Sequence, residues 1–345
     1  MDHIRVDSPV GRGPNGESPA LPEVVSLSES QITELKNGDY SVAIVFHYLK
    51  TAWTRLQLKG LETRFDELGI TLDSVSGAEF DASVQSDILN SVALSDADAL
   101  VSIPVDTVAT SKAYREVADS GIDIVFMDNV PAGFTPGDDY AGMVSSDNEG
   151  VGIVAGRFLK EFVGEGTVGL VEHNAPFYVT EQREVGARSV LEDTDDISIV
   201  AETGFTHPDE VYDRAHDILT SYPDLDGLFV SWDDPPGMQA AAAATDLGRD
   251  DLIITATDFT TKTAEMIAQD GIIKAVGAQF PYQQGRIEAD MVGQALLGNE
   301  TPPYIASGSL PVYRGNLLEQ YLEHYQEIPP ESVTAFFEET ELTQK

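Results

Sequence analysis

The apolar positions of this chain fall in short continuous runs, separated by segments whose apolar residues recur at helical spacing. Val42-Ala43-Ile44-Val45-Phe46, Ile124-Val125-Phe126-Met127, Leu228-Phe229-Val230 and Ile253-Ile254-Thr255-Ala256-Thr257 have the length and continuity of strands buried on both faces. Each run stops abruptly at polar or aromatic residues: His47, Asp128-Asn129, Ser231-Trp232-Asp233-Asp234 and Asp258. In an open α/β sheet, ligands bind beyond the carboxyl ends of the parallel strands. These four tips are therefore the positions at which binding chemistry is expected.

In order along the chain, Ser28 and Gln31 form a capping-box signature for a short helix over 29–36. Strands are expected at 41–47, 70–75, 99–103, 122–127 and 140–144, alternating with helices at 53–68 (stopped by Gly69), 82–94 and 107–119. A second run follows, with helices at 149–163, 179–191, 209–221, 237–246, 262–269 and 283–297. Its strands are 167–171, 197–201, 228–230, 252–257 and 272–276, and a strand-like segment and a last helix from Asn316 to about Tyr325 end the pattern. Strict alternation predicts an α/β fold of doubly wound parallel sheets with right-handed crossovers. About ten strands exceed what one such sheet usually carries, so two Rossmann-like lobes are expected.

Charge changes the picture more than composition does. The 345 residues include 59 acidic and 20 basic side chains, a net charge of −39. The regular apolar pattern argues against disorder, and the absence of basic patches argues against nucleic-acid binding. Such a surface suits high salt, where a Debye length of roughly 3 Å at 1 M screens self-repulsion. With no cysteine there is no disulfide or thiolate site, and the six histidines show no metal-ligand spacing. No apolar run is long enough to span a membrane. Residues 1–37 are polar and rich in Gly, Pro and Ser, so residues 1–39 are expected to be a flexible arm.

Several stretches together resemble the type I periplasmic sugar-binding proteins, the ribose-binding-protein-like receptors of ABC transporters. They are 42–53 with Gly60, 124–128, Ser145-Ser146-Asp147-Asn148, 223–234, 251–258, Gly277-Ala278-Gln279 and Gln284-Gly285. The resemblance implies two lobes joined by a three-strand hinge near Asp147, Gln279 and Ser307, with a sugar held between them. The lobes would be 40–147 plus 280–306 and 148–279 plus 307–345. It implies a ring-stacking role for Trp53 and ligand contacts from Asp128, Asp233 (with Trp232 beside it), Asp258 and Gln279. Asn129 replaces the family's Arg in its Asp-Arg pair. Arg183 or, in another register, Glu181 matches a family Arg on a second-lobe helix.

The chemistry is coherent with that. Sugar hydroxyls pair with carboxylates and amides, and aromatic rings cover C–H faces. For the aspartates the alternative role is helix capping; for Trp53 it is core packing. His47 and His173 can donate to a hydroxyl or serve structure, Phe177 with Tyr178 can wall the site, and Arg183 can bind ligand or form an ion pair. Three carboxylates in so acidic a protein disfavour anionic ligands. The expected function is the extracytoplasmic solute-binding protein of an ABC-type sugar importer, taking a small neutral monosaccharide or polyol by hinge closure. It would need no cofactor or metal, work as a monomer with a membrane permease, and be lipid-anchored at the periplasm or cell surface. The alternatives are a sensory sugar receptor and the effector domain of a sugar-responsive regulator. An enzyme is disfavoured: Gly150-x-Gly152-x-x-x-Gly156 lies within a helix rather than after a strand.

Overall fold

The computed structural model describes Met1, residues 3–175 and residues 177–337. The chain divides into two compact units. The first lobe comprises Arg12–Ser146 and Pro281–Ser307, and the second comprises Met1–Gly11, Asp147–Phe280 and Gly308–Lys345. The chain thus passes between units beside Asp147, Gln279 and Ser307, and once more after Gly11. Residues 338–345 of the expected second lobe lie outside the described residues.

In the first lobe, α1 (Glu29–Lys36), β1 (Ser41–Phe46), α2 (Ala52–Leu68), β2 (Thr71–Gly77), α3 (Ala82–Val92), β3 (Ala99–Ser102), α4 (Ser111–Asp119), β4 (Asp123–Met127) and β5 (Gly142–Ser146) follow one another. The second lobe then takes α5 (Asn148–Val163), β6 (Gly166–His173), α6 (Tyr178–Glu192), β7 (Ile197–Phe205), α7 (Val211–Ser221) and β8 (Gly227–Val230). It continues with α8 (Met238–Asp246), β9 (Ile253–Thr257), α9 (Thr261–Ala268) and β10 (Ile273–Ala278). Helix α10 (Pro281–Leu296) and β11 (Tyr304–Ser307) return to the first lobe, and β12 (Leu310–Tyr313), α11 (Leu317–Tyr325) and α12 (Glu331–Thr334) complete the second.

Each lobe carries one six-stranded sheet, ordered β11-β5-β4-β3-β1-β2 and β12-β10-β9-β8-β6-β7. Every pairing is parallel except β10 with β12, which is antiparallel. The expected single strand-like segment after α10 is two strands, one for each sheet. Strand alternation divides the first-lobe core. Val42, Ile44 and Phe46 pack with Leu61, Phe65 and Val292, while Ala43 and Val45 pack with Tyr114 and Phe126.

Two helix pairs approach closely because glycine faces backbone. A Cβ on Gly186 of α6 would fall on the Glu149 carbonyl of α5, and one on Gly152 of α5 on the Arg183 carbonyl of α6. Gly60 of α2 and Gly285 of α10 meet the Tyr282 and Gln57 carbonyls in the same way. The Gly-rich run in α5 is thus a helix-packing surface.

The capping box at Ser28 and Gln31 forms, and Gly69 closes α2 in the left-handed region at φ 71°. The expected free arm is instead packed. Ile4 is buried with Val154, Phe158 and Ala275, and Val10 and Gly11 donate N–H bonds to Asp147 at 3.1 and 2.9 Å. Ala20 bridges to Ile305, and Val25 joins the first-lobe core. Isolated apolar residues in a polar stretch supply these anchors, and composition averaged over the stretch conceals them.

Candidate functional site

Parallel pairing brings the strand tips of each lobe to one edge, and there the two lobes repeat one arrangement. In the first, Asp128 directly follows β4 at φ 53°, and its N–H bonds the Val144 carbonyl of β5 at 3.0 Å. In the second, Asp258 directly follows β9 at φ 65°, and its N–H bonds the Gly277 carbonyl of β10 at 3.0 Å. Aspartate tolerates this left-handed backbone better than most residues. The helix that follows Asp258, α9, is capped by Thr260 rather than by this carboxylate.

Their side chains are held by comparable donors. Asp128 Oδ1 accepts from the Ser145 hydroxyl at 2.7 Å and Gln284 Nε2 at 3.1 Å. Asp258 Oδ1 accepts from Gln279 Nε2 at 2.6 Å, and its Oδ2 from Arg183 Nη1 at 2.9 Å. Arg183 is buried and also donates to Asn148 Oδ1 at 3.1 Å and to Thr257 Oγ1 at 3.2 Å. The register with Arg183, not the exposed Glu181, is the one that reaches the strand tips. The Asp258 side chain stays 32% exposed. A carboxylate has about four acceptor positions, so about two remain for hydroxyl donors.

Behind Gln279, the buried His324 places Nδ1 3.0 Å from its carbonyl oxygen. Burial pushes the His324 imidazole down to about 4. It is therefore neutral at physiological pH and fixes the strand end without adding charge.

Aromatic groups flank both faces. In the first lobe His47 lies 5.9 Å from Trp53 and 5.0 Å from Phe80, between ring centroids, and Phe80 stacks on Tyr48 at 5.0 Å. His47 is held down to about 4 by burial, with its Nδ1 unpartnered. Trp53 packs against the core while remaining partly exposed. Asn129 is buried beside Asp128. In the second lobe Trp232 packs on His173 and Phe205, each at 5.1 Å. His173 pairs through Nδ1 with Thr180 at 3.0 Å, and burial lowers its imidazole. Phe177 is 39% exposed just ahead of α6.

Asp233 is arranged differently from the expectation that it faces a ligand. It is 1% exposed, and its Oδ2 accepts from Thr260 N–H at 2.7 Å and Thr263 O–H at 2.5 Å. Its Oδ1 accepts from Asp234 N–H at 2.8 Å. Burial and then the Asp258 charge raise it to about 6. The carboxylate ties the β8 tip to the start of α9, a long-range form of the capping role weighed for it.

The sequence reading missed Asn148 and Gln284, although both lie in stretches that carry the resemblance. It also missed Glu184, whose Oε1 takes the His173 N–H at 2.7 Å and the Ser231 hydroxyl. Phe80 was missed as well, 59% exposed at φ 58° just after β2. Its signal was an aromatic residue at a strand tip. A polar cavity of the first lobe lies at the opposite edge, against the starts of β4, β5 and β11. It shares none of these groups. Among the described residues no cluster of His, Asp or Glu is arranged to hold a metal ion.

Two six-stranded, helix-flanked sheets, each ending in a polar and aromatic rim, define a two-lobed α/β receptor-type protein. The chain belongs to the periplasmic binding protein domain family, whose model matches residues 42–300. It is 24% identical over 233 residues, 67% of this chain and 72% of the relative, to a D-ribose/D-allose-binding protein of Pseudomonas aeruginosa. Its fold is similar to a periplasmic ribose ABC transporter structure from Conexibacter woesei, with 19% identity, 83% and 95% of the two chains covered, and a TM-score of 0.75. It is also similar to an ABC transporter periplasmic solute binding protein from Actinobacillus succinogenes with bound D-allose (21% identity, 81% and 99% covered, TM-score 0.72).

Proposed function

We propose that this protein is the solute-binding component of an ABC-type sugar importer and takes a small neutral monosaccharide or polyol. The observation that carries the reading is the partly exposed Asp258 carboxylate, gripped by Arg183 and Gln279 and left with acceptor capacity for hydroxyl groups. Family membership and the ribose/allose-binding relative point the same way. Asp128, Asn129, Trp53, His47, His173, Phe177 and Trp232 are the further candidate contacts. Asp233 contributes through the loop it fixes.

No covalent step is required of these groups. The hinge motion implied by the resemblance fits: a ligand that gains contacts in one hinge state shifts the population toward it. A membrane permease is the proposed partner, and the working place is outside the cytoplasm, with a lipid anchor and a monomeric state as parts of the same reading. No described helix is long and apolar enough to cross a membrane. The net charge of −39 suits molar salt and disfavours anionic solutes.

The test is thermal unfolding in molar salt with D-ribose, D-allose, D-tagatose, L-arabinose, D-glucose, D-galactose, ribitol and xylitol. A ligand at about 100 times its Kd adds roughly 2.7 kcal/mol of stability, a readable shift. Stabilisation by one or more of them supports the reading. A response only to anions or nucleotides overturns it.

A further inference from the structure

Behind Asp128 lies a buried polar group that sugar contact alone does not account for. Gln57 on α2, and Gln284 and Glu288 on α10, are each 0% exposed. Gln57 Nε2 donates to Glu288 Oε1 at 2.8 Å, and Gln284 Nε2 donates to Asp128 Oδ1 at 3.1 Å. Three oxygens of this cluster, Gln57 Oε1, Gln284 Oε1 and Glu288 Oε2, are buried without a hydrogen-bond partner.

If Glu288 were ionised, all three would be acceptors lacking a donor. A buried carboxylate without a cation costs several kcal/mol. Among the described residues no cation is among the groups that act on it. From β4 the facing charge is Asp128, of the same sign, while α2 presents the neutral Gln57 and β5 the Ser145 hydroxyl and Val144 carbonyl. Of the arginines on the two helices, Arg64 pairs with Asp290, Arg286 with Glu67, and the exposed Arg55 reaches the Lys50 carbonyl. Burial, and after it the Asp128 charge, holds the Glu288 carboxyl well above the usual carboxylate range, outweighing a Gln284 side-chain hydrogen bond that favours the charged form.

We propose that Glu288 is a neutral carboxylic acid and a positioning residue for the binding face, its O–H supplying the donor this cluster lacks and so fixing the Gln284 amide that orients Asp128. The inference rests on Asp128 being a ligand group. Glu288 itself does not touch the solute.

The test combines infrared difference spectroscopy with binding. At neutral pH, wild type minus Glu288→Gln shows the carbonyl band of a protonated carboxylic acid. That band shifts when D-ribose, or the most stabilising sugar of the panel, is added. An unprotonated-acid difference, or a band indifferent to sugar, overturns the proposal. Glu288→Gln keeps an N–H donor and retains affinity to within about threefold. Glu288→Met loses about tenfold or more, the scale of one hydrogen bond to a charged group. Equal affinities for the two variants overturn the proposal, and if Glu288→Met does not fold the infrared result decides. Asp128→Asn separates the two levels. If it leaves affinity unchanged, the reading of Asp128 has failed. If it weakens binding while both Glu288 variants bind like wild type, only this inference has.

Discussion

Asp128 and Asp258 close the same left-handed turn in the two lobes, each bonded through its N–H to the next strand and through its carboxylate to a glutamine amide. The second donor differs: a neutral Ser145 hydroxyl in one, the Arg183 guanidinium in the other. The matching turns place two carboxylates by backbone geometry, and the differing donors set how firmly each is held.

Asparagine tolerates the same backbone, so Asp128→Asn and Asp258→Asn remove charge without disturbing the turn. Each is expected to weaken sugar binding about tenfold or more, the value of a charge-assisted hydrogen bond. Isothermal titration calorimetry measures this. Unchanged affinity in both would remove the carboxylates from the site.

Arg183 makes three hydrogen bonds from a buried position. Arg183→Met strips Asp258 and Asn148 of a donor. It is expected to cost about 2–3 kcal/mol, below the usual penalty for breaking a buried pair because Asp258 keeps water access. Lysine cannot reproduce the planar fork, so Arg183→Lys recovers only part. Urea unfolding of the three proteins checks the order, and a lysine variant as stable as wild type contradicts it.

Glu184 is pushed up to about 7 by burial, against the bonds from Ser231 and the His173 N–H that favour its charge, with Glu172 and Glu181 adding repulsion. Its folded value exceeds the ordinary 4.5, so the folded state holds a proton that the unfolded chain has released. The stability it contributes is complete below about 4.5, falls by at most about 1.4 kcal/mol per pH unit as pH rises toward 7, and is gone above that. His47 and His324, lowered to about 4, act oppositely, losing stability as pH falls below 6.5. The stability difference between wild type and Glu184→Gln should therefore decline between pH 4.5 and 7 and level off. A pH-independent difference refutes the assignment.

With a net charge of −39, stability should rise with salt. Raising NaCl from 0.1 to 2 M shortens the Debye length from about 10 Å to below 3 Å and should lift the thermal midpoint by several degrees. A midpoint that stays flat or falls rules out the high-salt reading.

The strand tips were legible because a buried parallel strand must be apolar and stop where its burial stops; Phe46, Met127, Val230 and Thr257 mark those ends. Which tip residue turns outward was not legible. Asp233 and Asp258 look alike in sequence, yet Thr260 and Thr263, some thirty positions on, claim the Asp233 carboxylate. The Arg183 partners lie 35 to 75 positions away, and Gln284 is 156 from Asp128. No local pattern encodes such pairings, whereas the Ser28–Gln31 cap, whose partners are three positions apart, was readable. The packed N-terminal stretch was missed because a few buried residues outweigh many exposed ones.

The glycine contact between α5 and α6 has a consequence for how this receptor could change its diet. Arg183 offers its own carbonyl as the surface on which Gly152 rests, so the residue that holds Asp258 is also a bearing between two helices. A side chain at Gly152 would therefore push the Arg183 backbone aside and re-aim that guanidinium. Phe80 and Phe177, by contrast, are exposed, and Phe80 meets its neighbours His47 and Tyr48 through ring contacts rather than as a seat for a helix. New sugar preferences in this lineage should thus accumulate first at the rims, with the Arg183 seat inherited unaltered.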